Sequence, residues 1–325
     1  MNTGTQYGKS SVAKSRNHRK VIVFGIFAVD ISFYTSRQVQ AGETLIANSS
    51  KIGPGGKASN QAIASKKLGA ETLLISRLGN DSFKDYAVGI WKKTGLKYLI
   101  SIDNKNPTGK AGILINDNTA ENSVIVDPGA SLNLGLRDFS SSQHLFNEGD
   151  IFLTQFEQSA DTTLACLKKA KEKKMLTIFN PAPFNKISKD VFNYCNIITP
   201  NQVEAEQLTG LKLKGKSDVK KAMFKIADLG VSRIIITLGK KGAAIFENNK
   251  LFFSPGKNFG KALDTTGAGD CFNGALASQL AKGRDLREAV DFACSAAALS
   301  VLKKGTAESM PNLSMLKKFT IPKPN

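Results

Sequence analysis

The chain has 325 residues, with 45 Lys and Arg against 27 Asp and Glu, a formal charge of +18. Its 41% hydrophobic content, 28 Gly and 10 Pro exclude a wholly disordered or fibrous chain, and its longest apolar stretch, residues 21–29, falls far short of the roughly 20 residues a membrane-spanning helix needs. The positive charge could attract nucleic acid or an anionic membrane, but the lysines are spread along the chain, the pattern of a solvated surface.

Residues 1–19 are basic and carry no acid, and a disordered tail is expected there. The apolar run after them is not a secretory signal, because Asp30 follows at once and no A-x-A cleavage site appears. From residue 20 the chain alternates strand-length apolar runs with helical patterns. Strands are expected at 21–27, 72–76, 151–154, 176–180, 197–199 and 233–237. They are continuous apolar runs, as in a sheet covered on both faces. Helices are expected at 58–68, 82–93, 161–173, 202–208 and 218–229, several of them ending at Gly. Strand–helix repetition of this kind predicts a doubly wound, mostly parallel α/β sheet. Segments 31–52 and 107–127 break the rhythm and read as a small β-element added to the body. After Gly269 the pattern is helical nearly to Lys303. No long linker or internal repeat divides the chain, so residues 20–320 are expected to form one domain, with 321–325 a short tail.

Four cysteines without a C-x-x-C pair, and two histidines, give no zinc pattern and suit free thiols in the cytoplasm. Residues 210–217, GLKLKGKS, match the phosphate-loop pattern letter for letter. That loop needs a buried strand before it, whereas the preceding NQVEAEQLT reads as a polar helix, so the match is read as a coincidence. Three other motifs carry more chemistry. Asp264-Thr-Thr-Gly267-Ala268-Gly269-Asp270 leads into a helix, where small residues let backbone amides converge on an anion. Asp270 there would repel a bound phosphate, but it makes sense as the base that takes a hydroxyl proton; a plain helix cap is the alternative. In Gly53-Pro-Gly55-Gly56-Lys57-Ala-Ser-Asn60-Gln61 the glycines allow close backbone approach, and Lys57 and Asn60 share a helix face. In Thr199-Pro200-Asn201-Gln202-Val203-Glu204 an amide and a carboxylate suit Mg²⁺, with Asn201 equally able to cap the helix.

In this order and spacing, GPGGKASNQA and DTTGAGDCFNGAL resemble the two signatures of the ribokinase-like sugar kinases, the PfkB carbohydrate kinase family. Asp30, TQFE at 154–157, NPAP at 180–183, TPNQVE, TLGKKG at 237–242 and KKGT at 303–306 fit the same pattern, so the resemblance covers residues 20–320. GGK-x-x-NQA is most similar to the ribokinase branch. The resemblance implies an α/β body with a β-lid formed by 31–52 and 107–127, which closes over sugar and often makes a homodimer contact. It implies transfer of the ATP γ-phosphoryl group to the hydroxymethyl oxygen of a pentose, D-ribose first, with no nucleic-acid or membrane partner. Asp270 would be the general base, and Gly267, Ala268 and Gly269 the anion hole. Asp30, Gly56, Lys57, Asn60 and Glu157, with Asp270, would hold the sugar. Asn201, Thr237, Leu238, Gly239, Lys240, Lys241 and Gly242, with Gly269, would hold ATP. Glu204 would organise Mg²⁺ through water, and Asp264, Thr266, Ser300, Lys303, Gly305 and Ser309 would surround K⁺.

Two positions depart from the family pattern. Ala28 stands where ribokinases have Asn, two residues before the sugar-binding Asp, and it cannot hydrogen-bond a hydroxyl. A site without a partner for a hydroxyl discriminates poorly for it, which makes 2-deoxyribose a rival substrate; another sugar or a nucleoside is a further alternative. Cys294 stands where a His near the adenine is common.

Overall fold

A computed structural model describes residues 19–119, 121–185 and 188–320; the N-terminal tail expected to be disordered, apart from Arg19, and the short C-terminal tail at 321–325 lie outside these residues. In chain order the elements are β1 (Val21–Phe24), β2 (Ala28–Thr35), β3 (Ser49–Gly55), α1 (Lys57–Lys67), β4 (Thr72–Gly79), α2 (Ser82–Thr94), β5 (Lys97–Asp103), β6 (Gly109–Asn116), β7 (Asn122–Asp127), α3 (Leu136–Ser141), β8 (Ile151–Thr154), α4 (Ala160–Glu172) and β9 (Leu176–Phe179). There follow α5 (Asp190–Asn193), β10 (Ile197–Ile198), α6 (Gln202–Thr209), α7 (Lys216–Ala227), β11 (Arg233–Thr237), β12 (Gly242–Glu247), β13 (Lys250–Pro255), α8 (Ala268–Ala281), α9 (Leu286–Ser300) and α10 (Leu313–Thr320).

Nine strands form one sheet in the order β13-β12-β11-β10-β9-β8-β1-β4-β5, parallel from β11 through β5. Its central strands are buried on both faces, which is why they read as unbroken apolar runs. Alternation within β1 divides the core. Val21 and Val23 face one apolar layer with α1, α8 and α9, and Ile22 and Phe24 face the other, with α4 and α7. The strand order reverses direction at β1, so the chain leaves a crevice beyond the carboxyl ends of β1 and β8, where open α/β sheets bind ligands.

Three differences from the expected elements have physical causes. The first strand ends at Phe24; Gly25, at φ 156°, turns the chain out of the large sheet, and the apolar run continues as β2 of a second sheet. Apolar periodicity cannot see a strand change sheets. That second sheet, in the order β3-β2-β6-β7, is the expected β-element, built from four strands paired over long registers. Strands β5, β12 and β13 were not foreseen; β12 and β13 form an antiparallel edge on β11. Beyond Gly269 the helix is interrupted after Ala281, where Gly283 takes φ 78° and the Asp285 side chain caps α9.

Residues 210–217 bear out the coincidental reading. They follow helix α6 rather than a strand, and Gly210, at φ 70°, closes that helix.

Candidate active site

Two glycines open the site. At Gly55 a Cβ would lie 2.1 Å from Asp30 Oδ1, and at Gly56, at φ 80°, one would lie 2.6 Å from the Ile26 carbonyl oxygen. Only a chain without side chains there can pass over Asp30 and enter α1 at this point. A third glycine, Gly274 on α8, lets α8 close on α1, since a Cβ would lie 2.3 Å from the Gln61 carbonyl oxygen. That approach brings Asp270, in the first turn of α8, against the first turns of α1.

Asp270 is buried, and its carboxylate accepts from Asn60 Nδ2 at 3.2 Å and from Gln61 Nε2 at 3.0 Å. Burial pushes its pKa up, while the Lys57 charge and the two amide hydrogen bonds act against the rise. Glu157, just past β8, accepts from the Lys57 backbone N–H at 2.7 Å and so caps α1, which lacks a capping side chain of its own. Its other oxygen lies 3.9 Å from Lys57 Nζ. Burial raises Glu157 to about 7, and it raises Asp30 to about 6, against the opposing charge of Lys57. Burial alone would push the Lys57 ammonium down, but Asp270, Glu157, Glu204 and Asp30 together more than offset it. The expected sugar residues Asp30, Gly56, Lys57, Asn60 and Glu157 therefore share one crevice with Asp270. Asn60 Oδ1 is buried there with no hydrogen-bond partner.

On the other side of Asp270 a cavity of about 570 Å³ is lined by Thr237, Gly239, Lys240, Gly242, Gly269 and Cys294 among others. Leu238 and Lys241, expected beside them, do not line it. Asn201 is bridged to Thr237 at the end of β11. Asn201 and Glu204 engage each other in a reciprocal cap of α6: Glu204 N–H donates to Asn201 Oδ1 at 2.9 Å, and Asn201 N–H and Nδ2 donate to the two Glu204 oxygens at 2.8 and 2.9 Å. Burial raises Glu204 to about 7. Of the amides at the start of α8, that of Ala268 donates to the Thr265 carbonyl at 3.2 Å, so the anion-hole expectation rests on Gly267 and Gly269.

Asp264 accepts from the backbone amides of Thr266 and Gly305, both at 2.9 Å. Burial alone would raise its pKa, and these amides hold it below the ordinary value. They tie the 264–266 turn to the 300–309 loop, where Ser300 donates to Ala297 O, Ser309 to Thr306 O and Lys303 Nζ to Glu308 O. Among the described residues no cluster of three or more His, Cys, Asp or Glu is placed to hold a metal ion. All four cysteines are buried free thiols, and among the described residues no helix is long and apolar enough to cross a membrane.

Sequence reasoning passed over Gln61, Gln155, Asn180, Thr199 and Asn273. All five sit inside quoted motifs, yet a buried amide network leaves no periodic signal.

The family model for pfkB carbohydrate kinases matches residues 18–313. The chain is 32% identical over 298 residues to a ribokinase of Staphylococcus aureus, covering 90% of this chain and 97% of that one. It is 30% identical to a deoxyribokinase of Salmonella typhi, covering 92% and 98%. Among solved structures it is similar to a ribokinase of Giardia lamblia (TM-score 0.86, 27% identity, 93% of this chain and 98% of that one). It is similar also to the ribokinase of Arabidopsis thaliana solved with ribose and ATP (TM-score 0.84, 28% identity, 92% and 98%).

Proposed function

The chain belongs to the pfkB family of carbohydrate kinases, and from that premise we propose that this ATP-dependent sugar kinase phosphorylates D-ribose at its hydroxymethyl oxygen, with Asp270 as general base. One observation carries the reading. Asp270 lies between the carboxylate and amide cluster of α1, β2 and β8 and the 570 Å³ cavity that reaches Gly269, so a sugar hydroxyl and a terminal phosphate can meet at its carboxylate. Asp30, Lys57, Asn60 and Glu157 orient the sugar, and Asn60 Oδ1 offers it a buried acceptor. The cavity takes the nucleotide, with Thr237, Gly239 and Cys294 in its lining. Asp270 removes the hydroxyl proton as the oxygen attacks the γ-phosphorus and the bond from phosphorus to the β,γ-bridging oxygen breaks, ADP leaving, and the Gly267 and Gly269 amides with the α8 dipole stabilise the charge on the transferring group.

Four carboxylates facing the single Lys57 ammonium leave an excess of negative charge that suits a hard cation. Glu204, with one lone pair of each oxygen given to Asn201, would hold Mg²⁺ through water. Mg²⁺ neutralises phosphate charge when bound. The 264–266 and 300–309 loops, already tied together, offer carbonyls and hydroxyls for K⁺. Four free thiols suit a cytoplasmic enzyme. The small sheet exposes Phe33, Ile52 and Ile125 on one face, which suits a homodimer; a monomer in analytical ultracentrifugation at micromolar concentration would contradict that assembly.

A second reading, 2-deoxyribose as acceptor, is favoured by Ala28. It lies two residues before Asp30 on β2, hence on the same face, and brings only a methyl group to the sugar side. ATP-dependent phosphorylation of ribose and 2-deoxyribose, compared with Mg²⁺ and K⁺ present, tests both. Preference for ribose supports the first reading, equal or better use of 2-deoxyribose supports the second, and turnover of neither overturns both.

A further inference from the structure

We propose that Gln61 is the positioning residue for Asp270, and that the backbone carbonyl of Thr199, acting through Asn180, dictates which way Gln61 points. The inference rests on Asp270 being the base.

The argument follows hydrogen-bond polarity along a buried chain of amides. Thr199 O is a carbonyl and can only accept, so the Asn180 group 3.1 Å from it is the Nδ2 donor. Asn180 Oδ1 therefore faces the other way, toward Gln61, and can only accept. The Gln61 group 3.1 Å from it is thus Nε2. Nε2 has two hydrogens: one goes to Asn180, and the other to Asp270 Oδ1 at 3.0 Å. Gln61 Oε1, turned away from Asp270, accepts from Gln155 Nε2 at 2.6 Å. A backbone carbonyl has no alternative protonation or flip, so the direction of every amide in the chain follows from it. Gln61 and Gln155 are fully buried, and Asn180 and Thr199 nearly so, which makes any reversal cost unpaired polar groups.

This polarity matters most at the end of proton transfer. A lone Gln beside Asp270 could donate to the carboxylate and then, once the acid is protonated, turn and accept from it. That swap would stabilise the protonated form, raise the Asp270 pKa and leave less of the carboxylate ionised to take the next proton. Asn180 forbids the swap, so Gln61 remains a donor in both states. Thr199 also holds the base from the other side: its hydroxyl donates to Asn273 Oδ1 at 2.6 Å, and Asn273 Nδ2 donates to the Gly269 carbonyl at 2.9 Å, one residue before Asp270.

The test is the pH dependence of kcat in Gln61→Glu and Gln61→Met, both near the native shape, with ribose binding measured by calorimetry. The charged groups that face Asp270 are Lys57 on α1, Asp30 on β2, Glu157 beyond β8 and Glu204 on α6, with Cys271 its neighbour on α8. Neither variant alters any of them. In Gln61→Glu two carboxyls share one site, so the acid limb of the profile moves up by about one pH unit or more. In Gln61→Met the lost donor moves it up by less, and in both the alkaline plateau also falls, because Asp270 loses a donor that positions it. An acid limb in its wild-type place, with kcat lowered evenly at every pH, would overturn the proposal; so would a variant that no longer binds ribose if the other keeps the wild-type limb. Asp270→Asn in the same series separates the two readings: if it turns over normally the base assignment fails, whereas if it is dead and the Gln61 profiles do not move, only this inference fails.

Discussion

Asn60 Nδ2 donates to Asp270 Oδ2 at 3.2 Å across 210 residues of chain. The contact exists because Gly274 allows α8 to close on α1, and it leaves the Asn60 oxygen buried and unpaired. A buried acceptor without a partner is costly, and a sugar hydroxyl removes that cost on binding. Asn60→Ala is therefore expected to lower kcat/KM for the sugar by about ten- to a hundredfold, from a loss of about 1–3 kcal/mol. Most of the loss should lie in the sugar KM, because Gln61 still holds Asp270. Steady-state kinetics with sugar and ATP varied separately check it; an unchanged sugar KM contradicts the placement.

The pH dependence of activity and of stability should run in opposite directions. Asp270, raised by burial, must be ionised to act as a base, so turnover falls as pH falls through its pKa. Glu157, at about 7, and Asp30, at about 6, are raised in the folded state. Between the ordinary carboxylate range and these values the folded chain binds more protons than the unfolded one, so their contribution to stability is present below about pH 4 and is lost as pH rises through about 6–7. Ligand-free Glu157→Gln should accordingly lose less Tm than the wild type between about pH 5 and 8. Parallel slopes in calorimetric scans would count against a raised Glu157.

Ala28 shares the face of β2 that carries Asp30. Ala28→Asn adds a donor and an acceptor there and is expected to shift the ratio of ribose to 2-deoxyribose kcat/KM toward ribose by about tenfold, one good hydrogen bond's worth. Competition between the two sugars reads it directly. No change in the ratio would remove Ala28 from the sugar site.

Gly274→Ala should destabilise the fold by about 1–3 kcal/mol, because the added methyl meets the α1 backbone at Gln61 and Ser65 rather than a side chain that can move. It should also lower kcat, since the same displacement moves Asn60 and Gln61 from Asp270. Denaturant titration alongside kinetics checks it; full stability with full activity would contradict the tight α1–α8 contact.

The parallel body was legible because β1, β8 and β11 are apolar on both faces. The Gly-rich turns announced where the backbone must come close. What stayed hidden has local causes. The end of β1 was hidden because Gly25 sits inside an apolar run shared by two sheets. Strands β5 and β13 alternate with partly exposed positions and so lack the continuous run of the central strands. Asn201 and Glu204 were legible as a pair, but their reciprocal capping of α6 needed coordinates to be seen. The Gln61, Asn180 and Thr199 network joins three separate elements, and no spacing in one segment reports it.

The most direct test of the central claim is Asp270→Asn, with ribose affinity measured by calorimetry and ATP-dependent turnover measured on the same preparation. The amide keeps the size of the side chain and can still accept from Asn60 or Gln61, so ribose affinity should stay within a few-fold of wild type. Turnover should fall by about 10²–10⁴-fold, the usual worth of a general base. Turnover near the wild-type rate would contradict Asp270 as the base.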